Sequence, residues 1–364
     1  MPCARDRQEQ RVFVKLISLA LAASPLLAGC GELPYLAQLV EGELASQGRS
    51  EPIDDVLASG RLSEEEAAKL QLIVDAREFA GNAMGLYVGK SYRTFYDTSG
   101  APLAWNLSAA RQDALVPKTW AFPIVGVVPY LAFFDEGMLR QRERQLAEAG
   151  YDTLTYELDA YSTLGVLENP VRSPMLKRGK LSLVETIIHE LLHNTVWRMN
   201  ETVFNESLAT FVGRQGAIDF LRLHYGETAG WTELARAYYA DTDAVNAFVL
   251  QLYADLAAYY AEPGEPEEKI AGRASVFAAA RARFAASILP DLNYPDVWSD
   301  YAELPANNAW VLINYRYNLD LSLFADVYAA HAGDWPATIA VYQAAADAPG
   351  DPFEYLREWL AARR

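Results

Sequence analysis

Two of the four histidines in this 364-residue chain stand four apart, His189 and His193, in the stretch "ETIIHELLHNTVWRMNETVFNESLATF" at 185–211. Residues four apart on a helix lie one above the other on a single face. Two imidazoles so placed can hold one tetrahedral Zn²⁺. Glu190, one step round the helix, is badly placed as a third ligand. It is well placed to take a proton from a metal-held water, which is the H-E-x-x-H logic of zinc peptidases. The chemistry so implied is metal-assisted hydrolysis of a peptide bond.

Both cysteines, Cys3 and Cys30, precede the body of the chain, so a third metal ligand there must be His, Asp or Glu. A metzincin would carry a histidine at 199, where Met199 stands; His224 and His331 are remote in sequence. The nearer candidates are Glu201 and Glu206. The sequence predicts a helix from 183 to about Trp197, opened by a Ser182/Glu185 capping box. Val184, Ile187, Ile188, Leu191 and Leu192 form its buried stripe. A short loop follows, and Asn205 is expected to cap a return helix. That return brings Glu206 back to the histidines and leaves Glu201 in the turn.

Two histidines with a downstream glutamate resemble the gluzincins, although here only twelve residues separate His193 from Glu206. A broader resemblance runs through five blocks in order: "PKTWAFPIVG" (117–126), "AYSTLG" (160–165), "HELLH" (189–193), "FNESLATFVG" (204–213) and "NNA" (307–309). These are similar to a bacterial family of putative aminopeptidases. The resemblance implies zinc-dependent peptide hydrolysis and places a tyrosine at Tyr317 as donor to the oxyanion; a core tyrosine is the alternative. "AYSTLG" reads as a strand, either interior or an edge that pairs with substrate. "GNAMGL" (81–86) is similar to an aminopeptidase motif but lacks its glutamate, so endopeptidase action stays open. The rival from another class is a lipoprotein binding module whose metal serves only structure, which would call for four protein ligands.

The elements that must position these residues are legible in outline. Half the chain is apolar, 51%, enough for a large core. Residues 34–48 read as a helix, and Ser63 with Glu66 opens another that runs to Gly85. From 86 to 165 aromatic and branched runs broken by Gly, Pro and Asp read as strands, with a helix at 136–150. From 181 onward the chain reads as helix, with loops at 261–268 and around 289–306. The expected class is α+β: a mostly antiparallel sheet in the N-terminal half, then a helical half carrying the zinc helix. As domains, 61–364 forms the metallopeptidase unit, its 61–180 part α+β and its 181–364 part helical.

The N-terminus reads as targeting. Arg5, Arg7, Arg11 and Lys15 precede "LISLALAASPLLAG", and Leu27-Ala28-Gly29-Cys30 resembles a bacterial lipobox. Residues 1–29 are then a lipoprotein signal peptide, Cys30 carries the lipid, and residues 30–60 tether the domain to a membrane. Gly31 rather than Asp after the cysteine suggests the outer membrane, with the domain facing the periplasm. The net charge of −17 offers no basic surface and argues against nucleic acid.

Overall fold

The computed structural model describes residues 33–122, 126–161 and 168–363. Cys30 and most of "AYSTLG" lie outside them. The N-terminal half opens with helix α1 (Leu33–Gly48), strand β1 (Glu51–Pro52), a short helix α2 (Ile53–Ala58) and helix α3 (Glu64–Asn82). Strands β2 (Thr94–Tyr96), β3 (Ala104–Arg111), β4 (Trp120–Phe122), β5 (Gly126–Val128) and β6 (Leu131–Phe133) follow. Then come α4 (Glu136–Glu148), β7 (Tyr151–Leu158) and β8 (Val171–Arg172). The second half is helical: α5 (Lys180–His193), α6 (Thr202–Tyr225), α7 (Gly230–Ala261), α8 (Pro266–Ser287), α9 (Pro295–Trp298), α10 (Asn308–Asn318), α11 (Leu321–Ala330), α12 (Trp335–Asp347) and α13 (Pro352–Ala361).

The class is mixed α/β and mainly helical. The expected single sheet is instead three small ones, ordered β1-β2-β8, β6-β3-β7 and β4-β5. Two are antiparallel throughout; in the first, β2 and β8 run parallel. Within residues 30–60, the expected tether, the chain folds as β1 and α2, where Ile53 and Val56 are buried in the main core. Among the described residues, no helix is long and apolar enough to cross a membrane.

The sheet β6-β3-β7 contains the longest paired strands, β3 and β7. They pair from Ala104↔Leu158 to Arg111↔Tyr151, which puts Ala104, Asn106, Tyr156 and Leu158 on one face. The opposite face packs Leu107, Ala109 and Phe133 against Leu139 and Leu146 of α4. α10 packs on β3 and β7, fixed by a buried polar knot at its start. Asn307 caps it, its side chain accepting from the Trp310 N–H. The Asn308 N–H donates to Asp152 (2.7 Å), and Arg273 of α8 makes a bidentate pair with the same carboxylate at 2.6 and 2.9 Å. The block "NNA" is therefore a cap and a clamp, and three turns later the helix delivers Tyr317.

α5 lies between α3 and α6 in the main core. Val184, Ile187, Ile188, Leu191 and Leu192 are fully buried, as the stripe predicts. The start is earlier than expected. Gly179 occupies the N-cap with no side-chain cap, and the Leu183 N–H already donates to the Gly179 carbonyl at 2.9 Å. Ser182 does not cap; its hydroxyl accepts from Arg178 at 2.9 Å. The helix also ends sooner, at His193 rather than Trp197.

Asn205 is a second correction. α6 has already begun at Thr202, and Asn205 sits one turn inside it. Its amide instead clips the connecting loop, accepting from the Arg198 N–H (2.9 Å) and donating to the Arg198 carbonyl (2.8 Å). The Arg198 guanidinium binds the Ala346 carbonyl, and Asn200, in the left-handed region at φ 66°, accepts from the Val127 N–H. An asparagine's readiness to bond local backbone serves equally for a cap or a loop clip. With the loop held at both ends, Glu206 is set against α5.

Candidate active site

The Nε2 atoms of His189 and His193 face each other at 3.2 Å, their rings nearly perpendicular. One oxygen of Glu206 lies 3.3 Å from the first and 3.5 Å from the second. Three donor atoms from two helices thus form an almost equilateral triangle. The side chains are only 15%, 6% and 7% exposed. Among the described residues these three are the one group of His, Cys, Asp or Glu able to hold a metal ion. Glu201, the alternative ligand, is exposed at the start of α6 and does not join them. His224 and His331 bond the Phe220 and Val327 carbonyls elsewhere.

The close approach of α5 and α6 has a local cause. Gly213 faces Glu185 and His189 and Gly216 faces Ile188, each with less room than a methyl group needs. Small residues at both crossings let the helices meet with the donor atoms in reach of one another.

Electrostatics follow from the crowding. Burial alone would raise the Glu206 carboxyl, but His193 and His189 together hold it well below the ordinary carboxylate range. Burial disfavours the His189 cation, yet Glu206 and Glu190 reverse that and raise it. Glu190 is raised by burial against the opposing pull of His189 and His193. Its surroundings therefore favour the protonated form more than those of an exposed carboxylate would.

The triangle opens into a cavity of about 820 Å³ that is also lined by Glu190 and Tyr317. The three donors, Glu190 and Tyr317 thus share one space. Tyr317 lies nearly parallel to the His189 ring, centroids 6.2 Å apart. Burial and the Glu206 charge raise its hydroxyl far above the usual range, so it remains a proton-bearing donor. Tyr315, its neighbour in sequence, turns away and stacks on Tyr253 at 4.0 Å.

Sequence reasoning missed several lining residues. Tyr156 of β7, within hydrogen-bonding reach of Tyr317, and Tyr130, before β6, bring two more phenols to the cavity. Glu185 is one turn before His189; its carboxylate accepts from Tyr239 at 3.0 Å and faces Arg214 at 3.6 Å. Arg178 pairs with Asp159 through two contacts of 2.5 and 2.8 Å. The alternation of β7 could have flagged Tyr156, since it shares a face with Leu158. Nothing local flags Tyr130 or Arg214, which reach the site only through the tertiary fold.

Against known proteins, the profile of a family described as "Putative aminopeptidase" matches residues 34–352. The chain belongs to this family. The description points to peptidase function, with peptides as substrate, and the match spans everything from α1 to the start of α13. This family member has no match among curated proteins or among solved structures.

Proposed function

We propose that the protein is a zinc-dependent peptidase that removes residues from the amino termini of peptides. The observation that carries the metal is the donor triangle. Ligands about 2.0–2.1 Å from a tetrahedral zinc stand about 3.3–3.4 Å from one another, and the three edges here measure 3.2, 3.3 and 3.5 Å. The donor set, two imidazoles and a carboxylate, is also that of catalytic zinc sites, which keep a fourth position open. Only three protein donors converge among the described residues, and the triangle faces the cavity. This favours an enzyme over a binding module, whose structural metal would be closed by four.

Bound there, zinc would polarise the scissile carbonyl and acidify a water. His189, His193 and Glu206 would hold it, the last as a carboxylate. Glu190 takes the proton of the attacking water and passes it to the leaving amine. Tyr317 donates a hydrogen bond to the oxygen on which negative charge develops. The cavity wall carries six carboxylates, Glu43, Glu157, Asp159, Glu185, Glu190 and Glu206, against the guanidinium groups of Arg178 and Arg214. Such a field supports a substrate that enters with a free, cationic amine. A lipid on Cys30 would anchor the domain at the outer membrane, facing the periplasm; palmitate labelling that survives Cys30→Ala would refute the anchor.

The enzymatic reading is tested with the full chain, zinc-loaded and chelated, on aminoacyl anilides and internally quenched peptides. Activity should vanish with the metal and return with added zinc. Glu190→Gln should keep one zinc per chain and lose about 10²-fold or more in kcat. Undiminished turnover in that variant overturns the mechanism, and cleavage of internal bonds alone overturns the amino-terminal specificity.

A further inference from the structure

Helix α1 turns a stripe of side chains to the cavity. Leu36, Leu39, Val40 and Glu43 follow the i, i+3, i+4, i+7 spacing of one helical face, and all four line the space that holds the donor triangle. None is fully buried: Leu36 and Leu39 touch the core beneath β6-β3-β7 on one side, and all four keep surface toward the cavity. The helix is nevertheless fixed. The Gln38 amide bonds β6 as a neighbouring strand would, accepting from the Phe134 N–H at 2.7 Å and donating to the Ala132 carbonyl at 3.2 Å. Gly42 rides directly on the Phe134 ring, with no room for a β-carbon. Across from the stripe, Phe134, Phe122 and Val128 complete an apolar chamber. Glu43, the last residue of the stripe, accepts a hydrogen bond from Tyr161.

We infer that this chamber is the specificity pocket, and that the enzyme selects peptides carrying a bulky apolar residue, of the leucine or phenylalanine class, beside the scissile bond. The inference rests on the peptidase reading and deepens it. A rigid apolar wall continuous with the reacting centre gains from burying such a side chain. Glu43 and Asp159 are already engaged, by Tyr161 and Arg178, so a charge buried against the apolar wall would keep much of its desolvation penalty. Leu36, Leu39 and Val40 are then the residues that set the preference.

The test compares kcat/KM across a panel of peptides that vary the residue on each side of the scissile bond. Leucine or phenylalanine on one side should exceed alanine by about 10–100-fold and aspartate or lysine by more. Val40→Trp fills the chamber and should reverse the phenylalanine-to-alanine ratio; Leu39→Ala, which enlarges it, should shift preference toward phenylalanine over leucine. Calorimetry on zinc-loaded Glu190→Gln reads the same preference as affinity, independent of turnover. Equal rates or affinities across the panel, a preference for charged residues, or tighter binding of a free fatty acid than of any peptide overturns the inference. A protein that binds apolar peptides selectively but never cleaves them sinks the peptidase reading and leaves the pocket assignment standing.

Discussion

Gly213 of α6 stands so close to α5 that a β-carbon on it would lie 2.9 Å from the Glu185 carbonyl oxygen and 3.3 Å from the His189 β-carbon. The spacing of the two helices that carry the donor triangle is thus set within one helical turn of a member of that triangle. Gly213→Ala forces backbone apart, since the nearest obstacle is a carbonyl and not a flexible side-chain tip. The expected cost is about 1–3 kcal/mol in urea unfolding. Because Glu206 rides on the displaced helix, zinc affinity, measured by competition with a chromophoric chelator, should fall by at least about tenfold. Unchanged affinity would show that the helices are spaced by other contacts.

Tyr317→Phe removes a hydroxyl and little else. If that hydroxyl meets the developing oxyanion, kcat should fall by about 10²–10³-fold with KM and bound zinc nearly unchanged. Tyr130→Phe and Tyr156→Phe are the internal controls. A larger loss in either, with Tyr317→Phe near wild type, reassigns the donor.

The knot beneath α10 should show in stability. Asp152 and Arg273 have side chains only 7% and 9% exposed. Asp152→Asn leaves the guanidinium buried without its counter-charge, an expected loss of about 3–5 kcal/mol by thermal or urea unfolding. Asp152→Asn paired with Arg273→Met should recover part of it. A loss below about 1 kcal/mol for the single variant would mean that the pair is weaker than its burial implies.

How much of the fold and the site is legible in the sequence depends on how local each signal is. The H-E-x-x-H pair and its buried stripe are set by helical periodicity alone, and α5 carries them as expected. Glu206 needs one tertiary step, an antiparallel return, and the reach is as expected although the means differ: Asn205 clips the loop instead of capping the helix. The three small sheets read as one because short apolar strands reveal their existence but not their partners. Residues 34–48 read as a helix, yet its cavity stripe passes for an ordinary amphipathic face. Only Gln38 on β6 and Gly42 on Phe134 say what that face meets. Tyr130 and Arg214 carry no signature, because nothing within a few residues constrains them.

The cap of α3 offers a pH-dependent check. The Ser63 hydroxyl and N–H both donate to Glu66, at 2.7 and 2.9 Å, and hold its carboxyl below the ordinary value of 4.5. A carboxyl lowered on folding stabilises above its unfolded pKa, and that share is lost as pH falls through the folded value. Ser63→Ala should cost about 1 kcal/mol at pH 7, and the gap to wild type should narrow in urea titrations near pH 3. A gap independent of pH would mean that the Glu66 charge contributes nothing.

The cleft is drawn from three distant stretches of chain: a wall from 36–43, the donor triangle from 189–206, and Tyr317 near the carboxyl end. A chain that stops before Tyr317 lacks one of the three. During synthesis the proposed hydrolytic centre is therefore complete only once Tyr317 has been added, nearly nine-tenths of the way along the sequence, and a molecule cut before that point should keep the donor triangle but lose the proposed oxyanion donor. Full activity, on the proposed reading, would then report that the first helix and the last third of the chain have met around the donor triangle.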